Sequence, residues 1–193
     1  VMGYLEIPCI SVNLPIYHGT DAEILERGAG HLAASSFPIG GKSTHSVLTG
    51  HTGLSSAKLF TDLTEMKKGD LFFINVLGQT LAYKVDQISV VKPEDTRKLQ
   101  IVDGKDYVTL VTCTPYGVND HRLLVRGVRT KYVKDQKTKI RQRNKDSQWM
   151  GTYKRAIAIG LAIVMALVLS GKVYQKLRRK KTEKIRKKEG ETK

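Results

Sequence analysis

Three side chains of this 193-residue chain have the types and settings that nucleophilic catalysis requires. Cys113 ends the strand-like run TLVTC (109–113) just before a Thr-Pro turn, so its thiol meets a loop. Arg122 begins the next strand-like run, and His51 follows an earlier one. A thiolate is a strong nucleophile, a guanidinium stabilises negative charge that develops on an attacked carbonyl, and an imidazole moves protons. Together such residues are typical of acyl transfer through cysteine.

The relation between Cys113 and Arg122 depends on strand pairing. If the runs 107–113 and 122–129 pair antiparallel, the two residues lie side by side at one end of a sheet. A guanidinium there would favour the thiolate. A buried, inert cysteine and an ordinary surface ion pair are the structural alternatives for these two residues. Strand alternation predicts the following companions on the face of the thiol: Tyr107, Thr109 and Val111.

Five histidines compete for the role of proton partner. His51 lies between glycines in TGHTG (49–53), where backbone freedom can present an imidazole to a pocket. His121 adjoins Arg122 and is the close alternative. The three other candidates are His18, His31 and His45.

The sequence offers little support for a metal or a cofactor. No pair of cysteine and histidine residues has the spacing of zinc ligands, and GGKS (40–43) lacks the first half of a phosphate-binding loop. A bridge between Cys9 and Cys113 is formally possible, but the strand-end setting of Cys113 favours a free thiol. We therefore expect no metal and no cofactor, and interpret Cys9 as a small packed residue.

The net charge of +15 is confined to one part of the chain. Residues 1–130 hold 13 basic and 13 acidic residues, whereas residues 131–193 hold 20 basic and 5 acidic ones. A neutral globule with a basic tail argues against a nucleic-acid-binding domain. The tail has few aromatic residues among its charges, so nucleic acid is not an expected partner.

The tail itself has the pattern of a membrane anchor. Residues 131–155 read as a basic linker, residues 156–174 as a transmembrane helix and residues 175–193 as a basic cytoplasmic tail. The uncharged core of the span has 16 residues, or roughly 24 Å of helix, and flanking lysine, arginine and tyrosine side chains can extend it towards the roughly 30 Å of hydrocarbon. The modest excess of positive charge after the span, ten basic residues in 172–191 against seven in 136–155, predicts a cytoplasmic C-terminus and residues 1–130 outside the cell. A buried core helix is the alternative.

The elements that position the candidate residues are mostly short strands. Little helix and no alternating βα units predict a mainly β, barrel-like domain over residues 1–130. The predicted strands lie within 4–17, 46–51, 71–77, 80–91, 107–113 and 122–129, and short helices are predicted within 21–32 and 55–63.

These motifs resemble those of class C sortases, the pilus-assembling transpeptidases of Gram-positive bacteria. TLVTC (109–113) is similar to the cysteine signature of sortases, LTGH (48–51) to the strand end that carries their histidine, and Arg122 falls where their essential arginine falls. LPIYHGT (14–20) and TCTPYGVNDHRLLVRG (112–127) are similar to class C in particular. The resemblance covers residues 4–130 and the arrangement of the tail.

The resemblance implies an eight-stranded sortase-type β-barrel with short helices. It implies that Cys113 attacks the Thr–Gly bond of an LPxTG-like sorting signal and forms a thioester acyl-enzyme, with His51 moving protons and Arg122 stabilising the oxyanion. The expected partners are pilins or surface proteins that bear such signals, and a pilin lysine that takes the acyl group. The groove would be mainly apolar, with walls from strands 71–77 and 80–91, and the location would be a single-pass cell membrane protein.

The sequence starts at Val1 and enters a strand-like run almost at once, with no initiator Met or signal peptide, so we interpret the chain as a fragment that lacks its native N-terminus. Class C sortases usually have an N-terminal lid over the cysteine after a signal or membrane segment, and the two alternatives here are that the lid was removed or that the protein never had one. Two other functions stay open. The chain could be a sortase that anchors surface proteins or pili to the cell wall, or a membrane-anchored β-barrel that binds surface proteins without catalysis.

Overall fold

The computed structural model divides the chain into two compact units, residues 1–142 and residues 143–193. We describe each unit separately. The structure describes the following residues: 1–53, 58–142, 153, 156–163, 165–167 and 169–170.

The first unit is a closed barrel. Within the described residues its eight strands follow the spatial order β1-β2-β3-β4-β7-β8-β6-β5, with β5 closing on β1. Neighbouring strands are antiparallel except for the β2–β3 and β4–β7 pairs, which are parallel. The strands are β1 (Gly3–Ile7), β2 (Val12–His18), β3 (Ala29–His31), β4 (Thr44–Thr49), β5 (Leu71–Val76), β6 (Gln79–Val91), β7 (Asp106–Thr114) and β8 (His121–Thr130).

The helices of this unit are short and connect strands. One α-helix, α1 (Ala22–Arg27), joins β2 to β3. Three 3₁₀ turns complete the described secondary structure between Gly3 and Thr130: Pro8–Ile10, Thr61–Glu65 and Arg97–Leu99. The expected eight-stranded, mainly β barrel with short helices is therefore confirmed for the first unit.

The barrel interior is filled from alternate positions of the strands. Because successive side chains of a strand point to opposite faces, every second residue enters the core. Each fully buried aliphatic or aromatic side chain contributes about 1.5–3 kcal/mol by leaving water. Fully buried members of the core include Leu5, Ile7, Leu48, Phe72, Ile74, Leu110 and Val125.

Gly127 on β8 makes room for an aromatic pair in this core. The rings of Phe72 and Tyr83 stack with their centroids 5.5 Å apart. A Cβ atom added to Gly127 would lie 2.5 Å from Cε1 of Phe72, closer than two carbon atoms can approach. The position therefore needs glycine for reasons of space.

Several predicted elements differ in extent. The run 4–17 forms two strands, because a 3₁₀ turn at Pro8–Ile10 interrupts it. The helix predicted within 21–32 ends at Arg27, where the three-residue strand β3 follows. A short helix was also predicted within 55–63, of which residues 55–57 lie outside the described residues. From Thr61 onwards the described chain forms a 3₁₀ turn, and no α-helix is found in the described part of this segment.

The predicted linker begins as part of the barrel unit. Residues 136–142 are helical and lie in the same compact unit as the barrel. Lys137 donates hydrogen bonds to Oε1 of Glu6 at 2.7 Å and to Oδ1 of Asn75 at 2.9 Å. The first part of the predicted linker is thus packed on the barrel, and residues 143–150 of it lie outside the described residues.

The predicted transmembrane segment 156–174 is described only in part. Residues 156–163, 165–167 and 169–170 are helical, whereas 171–174 and the tail 175–193 lie outside the described residues. Among the residues that were placed, no helix has both the length and the apolar character needed to cross a membrane. The membrane helix therefore stays a prediction.

Candidate active site

Cys113 and Arg122 lie directly opposite each other in the β7–β8 ladder. This antiparallel pair places both residues at the same end of the two strands, as the sequence predicted. Leu110 and Val108 of β7 belong to the barrel core, so the alternate residues Val111 and Cys113 face outwards. The thiol is half-buried and forms no disulfide with Cys9. The candidate nucleophile and the candidate cation are neighbours on the outer wall of the barrel.

His51 reaches the same place through the parallel pairing of β4 with β7. Thr49 pairs with Val111, and the amide of Gly50 continues the ladder by donating to the Val111 carbonyl at 3.1 Å. Parallel strands end at the same edge of a sheet. His51 lies two residues beyond Thr49 and Cys113 lies two residues beyond Val111, so both lie at that edge.

Two further hydrogen bonds hold the backbone on either side of the imidazole. The buried hydroxyl of Thr112 donates to the Gly50 carbonyl at 2.8 Å. The amide of Phe60 donates to the carbonyl of His51 at 3.0 Å. Thr112 precedes Cys113, so one side chain links the segment that carries the thiol to the segment that carries the imidazole.

All three candidate residues line one cavity of about 440 Å³ on the outside of the barrel. Its floor is apolar: Val111 and Leu124 are cross-strand partners on β7 and β8, and Val47 on β4 lies diagonal to Val111. A larger cavity of about 540 Å³, between the first residues of the chain and the β5–β6 turn, is lined by none of the three. We therefore refer to the 440 Å³ cavity as the groove and place the candidate chemistry there.

The walls of the groove come from segments that the sequence did not identify. One wall is formed by residues around α1, and the other by the connection between β6 and β7. The predicted walls were partly wrong: β5 contributes no lining residue, and β6 contributes its last residue, Val91. The reason is topological, since β5 lies between β1 and β6, on another part of the barrel. The wall residues are Thr20, Leu25 and Leu32 on one side and Lys92, Pro93, Asp95, Thr96 and Leu99 on the other.

The other histidines are engaged elsewhere. His121, the closest alternative, hydrogen-bonds to Asp120 at 2.8 Å and does not line the groove. His18 and His31 contact each other through Nδ1 atoms 3.2 Å apart. His45 is buried on β4 and hydrogen-bonds to Thr109. Among the described residues that line the groove, the histidine is His51.

Arg122 is held by backbone carbonyls rather than by a carboxylate. Its Nη1 atom donates to the carbonyls of Asn119 and His121, each at 3.0 Å. No ion pair of Arg122 occurs within the described part of the chain, whereas Arg126 on the same strand forms a two-point pair with Asp86 at 2.7 and 3.1 Å. The carbonyls orient the Arg122 guanidinium without neutralising it, so its charge remains available to an anion in the groove.

Cys9 has the surroundings of a structural cysteine. It packs against the hydrophobic core, and burial, with a smaller effect of the Asp70 charge, raises the pKa of its thiol to about 11. A thiol with that pKa is almost entirely protonated at neutral pH and is a poor nucleophile. The interpretation of Cys9 as a small packed residue agrees with this environment.

No metal-binding cluster was found among the described residues: no three histidine, cysteine, aspartate or glutamate side chains meet in an arrangement that could hold an ion.

Comparison with known proteins identifies a family. The family model of the sortase domain matches residues 5–130. Sortase A of Streptococcus agalactiae serotype III is 34% identical over 117 residues, which are 59% of this chain and 47% of that protein. Sortase D of Bacillus subtilis is 33% identical over 114 residues, which are 59% of this chain and 54% of that protein. The chain thus spans about half the length of these curated relatives.

Solved structures with higher identity are sortases C. Sortase C-1 from Actinomyces oris is 61% identical with a TM-score of 0.68, covering 68% of this chain and 75% of that one. Sortase C-1 from Streptococcus pneumoniae is 57% identical with a TM-score of 0.67, covering 68% of each chain. Since the family model matches well over half of the chain and these neighbours share its barrel, the chain belongs to the sortase family and, within it, groups with the class C enzymes.

Proposed function

We propose that this chain is a cysteine transpeptidase that cleaves an LPxTG-like sorting signal between Thr and Gly. The observation that carries the proposal is the meeting of Cys113, His51 and Arg122 around one groove of a sortase-family barrel. Their types match the three tasks of acyl transfer, namely attack, proton transfer and stabilisation of the oxyanion.

In the first half-reaction, Sγ of Cys113 attacks the carbonyl carbon of the substrate threonine. The oxygen of that carbonyl becomes negative, and the Arg122 guanidinium stabilises it. The C–N bond to glycine then breaks, and His51 gives its proton to the leaving amine. The products are a thioester on Cys113 and a free glycine amine.

In the second half-reaction, a neutral amine attacks the thioester carbonyl. His51 takes the proton that the amine loses, and the Cys113 thiolate leaves as the new amide forms. The enzyme returns to its starting state, with one peptide bond broken and one amide bond made. Because both steps pass through an oxyanion, loss of the Arg122 charge should slow both.

The groove favours an extended segment with apolar side chains. Val47, Val111 and Leu124 offer an aliphatic floor next to the thiol, which suits the leucine and proline of the sorting signal. The polar rim at Cys113, His51 and Arg122 lies at one end of that floor. This arrangement supports a substrate that places its apolar residues over the floor and its threonine carbonyl at the rim.

We propose a pilin lysine as the amine that resolves the thioester. The support is the identity of 52–61% to solved sortases C, one of which, from Streptococcus pneumoniae, is described in terms of pilin substrate specificity. The identity to curated sortases A and D is lower, at 29–34%. Anchoring to the cell wall is the second candidate, and both are sortase reactions.

We also propose that the chain acts at the outer face of a cell membrane, with residues 156–174 as a single span. The uncharged run and the basic residues on its C-terminal side support this location. Removing residues 150–193 should abolish membrane association and leave peptide cleavage intact. A complete loss of cleavage in that truncation would contradict a tethering role for the tail.

The function is tested by competition between two amines. The full chain is incubated with an LPxTG-type peptide, a lysine-bearing pilin peptide and a cell-wall-type amine, and the products are separated and weighed. We expect the threonine to become joined to the lysine amine, and Cys9→Ala to behave like the parent. Joining to the wall-type amine would favour anchoring. Absence of any cleavage, or equal cleavage by Cys113→Ala, would overturn the transpeptidase proposal.

A further inference from the structure

One wall of the groove rests on the barrel through few polar contacts. The connection between β6 and β7 contributes Pro93, Thr96 and Leu99 to the groove. From residue 92 to residue 99, the described hydrogen bonds of this segment stay within it, as in the bond from the Leu99 amide to the Thr96 carbonyl at 2.9 Å. The first described polar link to the barrel comes at the next residue, Gln100.

That link is made by His45. The Nδ1 atom of His45 lies 2.9 Å from the carbonyl oxygen of Gln100, and its Nε2 atom lies 2.7 Å from Oγ1 of Thr109. His45 is 1% exposed and lies on β4, two residues before the floor residue Val47. The imidazole therefore connects the wall of the groove to the sheet that forms its floor.

The partners of the ring determine its tautomer. A carbonyl oxygen accepts and never donates, so Nδ1 must carry the hydrogen. Thr109 can then donate its hydroxyl hydrogen to the unprotonated Nε2. The result is a directed chain in which the Thr109 hydroxyl donates to the imidazole and the imidazole donates to the wall.

The surroundings favour this neutral form. Burial is the largest effect on the pKa of His45 and lowers it; the hydrogen bond to the Gln100 carbonyl opposes this, and the charges of Arg126 and Asp86 make smaller contributions that lower and raise it, respectively. Arg126 lies over the ring of Tyr107, with its Cζ 4.2 Å from the centroid, and that ring is tilted against His45 at a centroid distance of 5.5 Å. The imidazole is thus fixed in orientation by packing as well as by its hydrogen bonds.

We propose that His45 is a positioning residue that fastens the end of the 92–99 wall, through the Gln100 carbonyl, and thereby sets the affinity for the substrate peptide. His45 does not line the groove and takes no part in bond making. The inference rests on the proposed peptide-transfer function for its effect on KM, while the fastening itself concerns the protein alone.

Two variants test the hydrogen bonds of the two ring nitrogens of His45 separately. In His45→Asn the amide nitrogen can take the position of Nδ1 and keep the donor to Gln100. In His45→Gln the amide reaches towards Thr109, and the link to the wall is lost. Both variants remove the ring and its packing, so each serves as the matched control of the other.

The experiment measures kcat and KM of the full chain with an LPxTG-type peptide, together with amide hydrogen exchange of the Leu99 amide and the melting temperature. We expect His45→Gln to raise KM about fivefold to tenfold, with kcat within about twofold of the parent, and to speed exchange at Leu99 by a similar factor, which is the usual effect of one lost hydrogen bond. His45→Asn should stay within about twofold of the parent in both quantities.

Equal KM and equal exchange in the two variants, or a fall in kcat with unchanged KM, would overturn the positioning role. If the parent itself does not cleave the peptide, the proposed function fails. The exchange comparison then still decides whether His45 fastens the wall, so the two failures are distinguishable.

Discussion

Two outer faces of the barrel differ in what covers them. On the face of β1 and β5, Phe73 points away from the core, since its neighbours Phe72 and Ile74 point into it, and yet Phe73 is 0% exposed. The segment after β8 covers it. The Tyr132 ring meets Phe73 edge-on at a centroid distance of 5.9 Å, and Nζ of Lys137 lies 5.3 Å from the Phe73 centroid.

The face of β4, β7 and β8 has an apolar floor that lies under a cavity. Val47, Val111 and Leu124 border 440 Å³ of space, with the thiol of Cys113 at the rim. A closed barrel has no free edges, so its outer faces are where additional contacts form. One face is closed by the chain itself, whereas the other, within the described residues, borders a cavity and holds the residues of the proposed chemistry. Substitutions on the covered face should therefore change the free energy of unfolding, whereas substitutions on the open face should change kcat.

The largest expected effect is on the open face. Arg122→Ala should lower kcat about 100-fold to 1,000-fold, the usual cost of removing one oxyanion donor, with little change in melting temperature. Arg122→Lys keeps the positive charge but loses the planar guanidinium, so it should retain more of the parent kcat than Arg122→Ala does. Steady-state peptide cleavage measures the effect, and Arg141→Ala, at an exposed ion pair with Glu6 away from the groove, is the control. A change below about threefold in Arg122→Ala would contradict the oxyanion role.

On the covered face, Phe73→Ala should destabilise the protein by about 3 kcal/mol, a typical value for a buried phenylalanine. Its kcat at a temperature where it is folded should equal that of the parent. Urea unfolding followed by tyrosine fluorescence measures the free energy, and Phe73→Leu, which retains most of the buried volume, should lose less than half as much. A stable Phe73→Ala protein would show that the segment after β8 does not cover this face.

Thr112 connects the open face to the core, so its substitution should change both the free energy of unfolding and kcat. Thr112→Val removes the donor to the Gly50 carbonyl and leaves a buried acceptor unpaired, which costs about 1–3 kcal/mol. Because the bond orients the segment before His51, we expect kcat to fall about tenfold. Thr112→Ser, which keeps the hydroxyl, should restore kcat. Equal activities of the two variants would argue against a positioning role for this hydroxyl.

The smallest expected effect is the pH dependence of stability that Glu6 contributes on the covered face. Burial of the Glu6 carboxyl opposes its ionisation, but hydrogen bonds from Lys137 and Asn75 and the charges of Lys137 and Arg141 outweigh burial and lower its pKa. A carboxyl with a lowered pKa in the folded state stabilises the fold above its unfolded pKa, and this contribution is lost as the pH falls through the folded pKa.

The parent should therefore lose about 1 kcal/mol relative to Glu6→Gln as the pH is lowered from 6 to 3. Urea unfolding at a series of pH values gives the difference. Parallel pH profiles of the two proteins would mean that Glu6 is not engaged by Lys137 in solution.

The sequence predicted Cys113 beside Arg122 on the condition that their two strands pair antiparallel, and the β7–β8 ladder meets that condition. Consecutive strand-like runs joined by a loop of a few residues commonly pair antiparallel, so the pairing could be anticipated from their order in the chain. His51 could be proposed because it ends a strand between glycines, but its approach to Cys113 depends on the parallel β4–β7 pair. That contact joins segments about 60 residues apart, and alternation within one strand does not encode it.

The walls of the groove and the covered face could not be predicted. The wall at 92–99 is a loop without periodicity, so no sequence pattern distinguishes a residue that faces the groove from one that faces solvent. Phe73 reads as an ordinary strand residue, and residues 136–142 read as polar linker. Their contact exists because the helical segment folds back on β5, which only the three-dimensional arrangement reveals.

The most direct test is to locate the acyl-enzyme. The full chain is incubated with an LPxTG-type peptide without added amine, quenched in acid, digested and analysed by mass spectrometry. We predict that the acyl half of the peptide, ending in threonine, is attached to the fragment that contains Cys113, and that His51→Ala accumulates little of it. Attachment at Cys9, or no adduct on a protein that remains folded, would contradict the assignment of the groove as the active site.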